Sequence, residues 1–166
     1  NACGKCPIAK WCNAYRLEEQ KKEYLREGLT YADFFCGAGG LSWGFHRAGY
    51  KMSLANDIQE CCVDTISLNH PEVPEKHIIA GDINDVLENI EKLSKYKNVD
   101  VVAGGPPCQG LSMANRQRII DDPRNHLYKS FVKAIKILSP KFFVMENVRG
   151  MLGVKDQIVQ DFDSIG

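Results

Sequence analysis

Tyr31-Ala32-Asp33-Phe34-Phe35-Cys36-Gly37-Ala38-Gly39-Gly40-Leu41-Ser42-Trp43-Gly44-Phe45-His46-Arg47-Ala48-Gly49 is the stretch that decides the fold. Residues 31–35 are largely apolar and aromatic, as in a buried strand. Residues 36–40 form a glycine-rich turn, and residues 41–49 read as a short helix stopped by its own glycine. Strand, glycine turn and helix N-terminus in that order make a cradle for a nucleotide-like cofactor at the carboxyl edge of a sheet. The glycines fall at 37, 39 and 40, which is not the dinucleotide spacing G-x-G-x-x-G, so the loop alone is a weak signal.

The same alternation continues outward. Residues 52–56, 77–80, 99–103 and 141–146 read as strands, and residues 58–69, 84–95 and 125–138 as the helices between them. Helix 84–95 carries Val86, Leu87, Ile90 and Leu93 as an apolar stripe, and helix 125–138 carries Leu127, Phe131, Ala134, Ile135 and Leu138. Residues 154–165 begin another helix. The pattern predicts an α/β fold with a doubly wound, mainly parallel sheet and right-handed crossovers. Residues 30–166 are long enough to bury one core, and residues 1–29 form a separate cysteine-rich segment with a charged linker helix over 15–27.

Two acidic residues strengthen the cradle. Asp57 follows Gly37 by twenty residues and ends the next strand, where a carboxylate can accept both ribose hydroxyls. Asp82 follows the short strand at 77–80 and can accept a hydrogen bond from an adenine amino group. Both positions also suit plain helix N-caps.

A second chemical signal lies in Gly104-Gly105-Pro106-Pro107-Cys108-Gln109-Gly110, directly after the apolar run at 99–103. Two glycines permit close backbone approach, and two prolines fix φ and remove two donors. The result is a rigid pedestal that holds one thiol at the sheet edge, where an activated nucleophile belongs. The competing reading is an inert thiol kept for packing.

Together these residues resemble the cytosine-5 DNA methyltransferase family. Its cofactor motif is matched by Asp33-Phe34-Phe35-Cys36-Gly37-Ala38-Gly39-Gly40, its nucleophile motif by Gly105-Pro106-Pro107-Cys108-Gln109-Gly110, and its glutamate motif by Glu146-Asn147-Val148. Asn56-Asp57-Ile58 and Gly81-Asp82-Ile83 match the adenosine-binding segments, and Arg124-Asn125-His126-Leu127-Tyr128 matches a segment that helps close the pocket. The resemblance covers residues 30–166, with the motifs in order. It implies a Rossmann-like methyltransferase fold and methyl transfer from S-adenosylmethionine to carbon 5 of cytosine, with Cys108 and Glu146 as catalytic residues. Phe35, Gly37, Gly39, Gly40 and Leu41 would hold the donor from the glycine loop. Asp57, Ile58, Asp82 and Ile83 would hold its adenosine, and Pro107 and Leu127 would complete the pocket.

The chemistry agrees with the resemblance. Carbon 5 of cytosine is a poor nucleophile until a thiolate adds to carbon 6, and that addition is easier when N3 is protonated or hydrogen-bonded. Glu146 ends the apolar strand 142–145 and can serve N3 from there, its pKa raised by burial beside that strand. The alternative is a solvent-facing carboxylate at a strand end. A cytosine inside a duplex must be flipped out, and residues 109–124, with Arg116, Arg118 and Arg124, suit a loop closing over it against phosphate.

Composition sets limits. The 21 basic and 21 acidic residues cancel, so any attraction to nucleic acid must be local. No apolar run approaches a membrane span and no signal peptide is evident. Seven cysteines without a framework pattern indicate a reducing compartment. The expected setting is a monomer in bacterial or archaeal cytoplasm, nucleoid-associated, working on double-stranded DNA in a restriction–modification system. Cys3, Cys6 and Cys12, spaced C-x2-C-x5-C, resemble the end of the iron–sulfur loop of endonuclease III-like glycosylases and suit an iron–sulfur cluster or zinc, one ligand short; an unligated terminus is the equal alternative. The family's later catalytic motif and target-recognition domain are not seen before Gly166, so a C-terminally truncated catalytic domain is expected. Two other functions stay open: an RNA (tRNA) cytosine-5 methyltransferase, and a non-catalytic cofactor- or nucleic-acid-binding fragment.

Overall fold

The computed structural model describes residues 28–89, 94–107 and 126–166. The strands are β1 (Thr30–Phe34), β2 (Lys51–Asp57), β3 (Ile78–Ala80), β4 (Val101–Gly104) and β5 (Phe142–Met145). The helices are α1 (Gly40–Arg47), α2 (Glu60–Asn69), α3 (Ile83–Glu88), α4 (His126–Leu138) and α5 (Lys155–Asp163). Every strand pair is parallel and the order is β3-β2-β1-β4-β5. The predicted doubly wound α/β sheet is therefore present. Its strand order reverses between β1 and β4, and such a switch point leaves a crevice at the carboxyl ends of the strands.

The pleat of β1 divides the core. Ala32 and Phe34 face one side with Leu87, Val102, Phe131 and Leu138. Tyr31 faces the other with Met52, Val63, Ile66 and Val101. Successive strand side chains alternate in this way because the strand period is two. Where β1 meets β2 the register steps from Tyr31↔Met52 to Ala32↔Leu54, leaving Ser53 as an extra residue.

Helix α1 stops as its sequence requires. Gly49 takes φ 84°, its N–H reaches the His46 carbonyl at 2.9 Å, and the Tyr50 N–H reaches the Phe45 carbonyl at 3.0 Å. This pair of bonds is the Schellman arrangement, sealed by edge-on packing of the Phe45 and Tyr50 rings.

Two expectations need correction. The helix expected over 84–95 ends at Glu88, because Asn89 leaves helical geometry (φ −89°, ψ 59°) and its N–H turns back to the Val86 carbonyl. Leu87 is fully buried as expected, a 3-10 turn follows at Ser94–Tyr96, and Ile90 and Leu93 lie outside the described residues. The second concerns β5, which reads as a buried run. Phe142, Phe143 and Val144 stand 71%, 43% and 43% exposed, since β5 is an edge strand among the described residues. No helix among the described residues is long and apolar enough to cross a membrane.

Candidate functional site

The site grows from the turn after β1. Phe35 adopts φ 56°, a left-handed conformation that is uncommon and costly for a bulky side chain and characteristic of functional turns. The Cys36 N–H bonds the Asn56 carbonyl at 3.1 Å, and Gly39 closes the turn onto the Cys36 carbonyl at 2.9 Å. Gly39 then begins α1 at φ 92°; a side chain there would strike Ile66 Cδ1 at 2.8 Å. Gly37, at φ 52°, borders open space. Helix α1 has no N-cap side-chain bond; the Ser42 N–H turns to the buried Asp33 carboxyl, and the Gly40 and Leu41 N–H groups and the helix dipole are left for an anionic group.

Beneath this loop lies Asp33, fully buried at the centre of the sheet. Burial pushes its carboxyl up to about 7; hydrogen bonds from Ser42 oppose the rise, and the charge of Asp57 adds to it. Ser42 Oγ donates to Asp33 Oδ2 at 2.6 Å, while Oδ1 has no partner among the described residues. Burial also drives the Cys36 thiol well above its ordinary range, so it stays protonated and inert.

Asp57 and Asp82 divide between the two readings of them. Asp57 Oδ2 accepts the Gly37 N–H at 2.9 Å and Oδ1 accepts the Gln59 N–H at 2.9 Å. It thus braces the glycine loop, while the N-cap of α2 falls to Gln59. Asp82 is the N-cap of α3, its Oδ1 accepting from the Asn84 N–H at 2.7 Å. Ile58 is 67% exposed beside Asp57, as an apolar platform would be. Ile83 is the opposite: its side chain is buried among Leu87 and Phe131, which leaves its backbone, not its side chain, at the sheet edge. Leu41 is half-buried near the turn, Gly40 is exposed, and Leu127 packs half-buried against the core.

Across the switch point, the turn after β4 meets the end of β5. Gly104 pairs with Met145, and the Glu146 N–H bonds the Gly104 carbonyl at 3.0 Å. A Cβ on Gly105 would lie 3.2 Å from Glu146 Oε2, so glycine here leaves room for the carboxylate. Asn147 Nδ2 donates to the Pro106 carbonyl at 2.8 Å. Pro106 is buried and Pro107 is exposed. Glu146 therefore stands over the turn that leads into Cys108. It is exposed, and the burial expected for it is not met, because β5 is an edge strand among the described residues.

Several predicted residues fall outside the described set: Cys108, Arg116, Arg118, Arg124 and Asn125, together with Cys3, Cys6 and Cys12. Two positioning residues had escaped sequence reasoning. Asn147 was read only as part of a motif. Buried Asn56 donates from Nδ2 to the carbonyls of Ile79 (2.9 Å) and Gly81 (3.0 Å), fixing the turn that carries Asp82. Its place next to Leu54 and Ala55, just before the acidic strand end, was the available signal for it.

Comparison with known proteins agrees with this geometry. The model of C-5 cytosine-specific DNA methylases matches residues 29–166. The chain is 41% identical over 146 residues to the Type II methyltransferase M1.HphI of Haemophilus parahaemolyticus, covering 83% of this chain and 38% of that protein. It is 43% identical over 147 residues to the Type II methyltransferase M.DdeI of Desulfomicrobium norvegicum, covering 83% and 34%. The chain thus spans little more than a third of the length of these relatives. Among solved structures, the S. pombe Dnmt2 methyltransferase shares the fold, with TM-score 0.59 and 16% identity over 83% of this chain and 39% of its own. The match starts at residue 29 and gives no support to a metal or an endonuclease III-like loop at Cys3, Cys6 and Cys12. With the glycine turn after β1 and the Gly-Pro-Pro turn after β4 set side by side at the switch point, and the family model matching residues 29–166, the chain belongs to the C-5 cytosine-specific DNA methylase family.

Proposed function

We propose that this chain supplies the donor-binding and nucleophile-bearing part of an enzyme that methylates carbon 5 of cytosine in DNA with S-adenosylmethionine. The observation that carries the reading is the meeting of two motifs at the β1/β4 switch point: the Asp57-braced glycine loop, and Glu146 over Gly105.

The residues present fit such a donor. Gly37 opens onto free space, α1 offers an uncapped N-terminus to a carboxylate, and exposed Ile58 offers an apolar face to a purine. Asp57 and Asp82 would take ribose and adenine, with Phe35, Gly39, Gly40, Leu41, Pro107 and Leu127 around them. When bound, S-adenosylmethionine supplies an electrophilic methyl group on a sulfonium.

Cys108, as thiolate, forms a bond to carbon 6 of a cytosine flipped out of the duplex. Electron density then moves to carbon 5, which becomes nucleophilic and is methylated. Glu146 holds a proton at N3 during the addition. Its carboxyl is exposed at the end of β5, where a flipped base can reach it. A base, for which water suffices, then takes the carbon 5 proton, N3 returns its proton to Glu146, and the carbon 6–sulfur bond breaks to release the Cys108 thiolate and 5-methylcytosine, the donor having become S-adenosylhomocysteine. This reading belongs to the cytoplasm, beside cellular DNA, in a restriction–modification setting.

Covalent trapping tests it. The full-length protein is incubated with S-adenosylmethionine and DNA or tRNA carrying 5-fluorocytosine, beside Cys108→Ser. Fluorine blocks the last elimination, so a DNA adduct that needs Cys108 is expected. An adduct with tRNA alone moves the activity to RNA. No adduct with either polymer, despite measurable cofactor binding, leaves a binding module instead.

A further inference from the structure

On the face of the sheet that carries α1 and α2, three side chains outside the methyl-transfer chemistry converge. His46 lies in the last turn of α1, His70 is the C-cap of α2, and Glu72 follows in the turn beyond it. His70 Nδ1 is 3.1 Å from Glu72 Oε1, and His46 Nδ1 is 3.5 Å from the same oxygen. One nitrogen or oxygen from each residue can be chosen so that all lie within 4.8 Å of one another. We propose that His46, His70 and Glu72 form a binding site for a divalent transition-metal ion of the zinc type.

The spacing supports a metal. Zinc–nitrogen and zinc–oxygen bonds of about 2.0–2.1 Å in a tetrahedron put neighbouring ligand atoms about 3.3 Å apart. The two separations to Glu72 Oε1, 3.1 and 3.5 Å, fall on either side of that edge, and the three ligand atoms together lie within 4.8 Å. Both imidazole Nδ1 atoms thus lie within 3.5 Å of one carboxylate oxygen, close enough for a single cation to be shared by all three.

The surroundings suit a bound ion as well. The His70 side chain is 2% exposed and that of Glu72 13%, so two ligands are already ordered by packing. The Trp43 ring stacks on His46 at 5.6 Å and lies 6.4 Å from His70, giving the site an aromatic wall. The His46 side chain is 41% exposed, which leaves a route for the ion and room for water as a fourth ligand.

Such an ion would tie the end of α1 to the end of α2. Gly39, the N-cap of α1, leaves no room for a side chain against Ile66 of α2, so the clamp would brace the glycine loop from behind. This site stands independently of the proposed methyl transfer, and its test uses neither DNA nor donor.

The full chain carrying Cys3→Ser, Cys6→Ser and Cys12→Ser, which removes the other metal-like cluster, is titrated with Co²⁺ and followed by visible absorption. One equivalent should bind, with the spectrum of a four-coordinate nitrogen/oxygen site, no thiolate charge-transfer band, and displacement by Zn²⁺. His46→Ala, at an exposed position that circular dichroism should show folded, and Glu72→Gln should each weaken binding by at least about tenfold. Zn²⁺ should raise the Tm of the Cys-substituted parent and leave that of His46→Ala unmoved. No saturable Co²⁺ binding, or binding equally strong in both variants, overturns the proposal.

Discussion

Asn147 donates through Nδ2 to the Pro106 carbonyl at 2.8 Å, fastening the turn that precedes Cys108 to the strand end that carries Glu146. The Gly-Pro-Pro turn after β4 is thereby tied to the end of β5. Neither motif alone implies this bond, since the partners lie 41 positions apart.

Asn147→Ala should therefore slow adduct formation on 5-fluorocytosine DNA by about fivefold, the kinetic equivalent of one hydrogen bond worth about 1 kcal/mol. Affinity for S-adenosylhomocysteine should be unchanged, because the glycine loop is untouched. Single-turnover trapping and calorimetric titration check the two halves. Equal rates in wild type and variant would remove Asn147 from any positioning role.

Asp33 makes stability depend on pH. Its carboxyl titrates near 7 in the folded protein, against an ordinary value of 3.8, so between these pH values the native state holds a proton that the unfolded chain has released. Stability from this group is thus full below about pH 4 and falls as pH rises toward 7, by up to about 1.4 kcal/mol per pH unit. Asp33→Asn should abolish that part of the slope and be relatively more stable at pH 7. Urea unfolding of both proteins from pH 4 to 8 gives the difference; parallel profiles would refute the assignment.

Gly104→Ala should be among the most damaging small substitutions. Its Cβ would lie 2.6 Å from Phe131 Cε2 and 2.7 Å from the Phe34 carbonyl, and the central strands leave no direction for relief. A loss of about 3 kcal/mol is expected, at the upper end for overpacking. Gly44→Ala, inside α1 with nothing within 4 Å of the new methyl, should instead stabilise by roughly 0.5–1 kcal/mol. Thermal melts of the two variants provide the contrast.

Asp57 combines bracing and recognition, and two substitutions separate them. Asp57→Asn keeps an acceptor for the Gly37 N–H but loses the charge, whereas Asp57→Ala loses both. The alanine variant should weaken S-adenosylhomocysteine binding by about 10- to 100-fold, as befits a charge-assisted hydrogen bond. The asparagine variant should fall between. Unchanged affinity in both would confine Asp57 to the turn it shares with Gln59.

Local chemistry made much of the fold legible. The change of period at Phe35 and the stop at Gly49 are written into adjacent residues, and the structure places both as expected. Features made by distant partners were not legible. Helix α3 was read too long because Ile90 and Leu93 continue its apolar spacing, yet Asn89 ends it. Glu146 was expected to be buried because 142–145 is apolar; burial depends on what covers a strand, and hydropathy carries no such information. Asp57 showed its position but not its bond to Gly37. The trio of His46, His70 and Glu72 has no motif spacing, since a helix end and a turn bring it together.

The parallel sheet also implies an order of assembly. Strands β1, β2 and β3 pair with partners one crossover away, whereas β1 reaches β4 only by closing a long loop, marked by the bond from the Thr30 N–H to Asp100, 70 positions on. Short closures cost less entropy and form sooner. The β1–β3 unit, with its glycine loop and Asp57, is thus expected to fold first and serve as a template. The β4–β5 unit, bearing the pedestal and Glu146, would dock onto it afterwards, so that the chain acquires a binding surface before it acquires a reactive one.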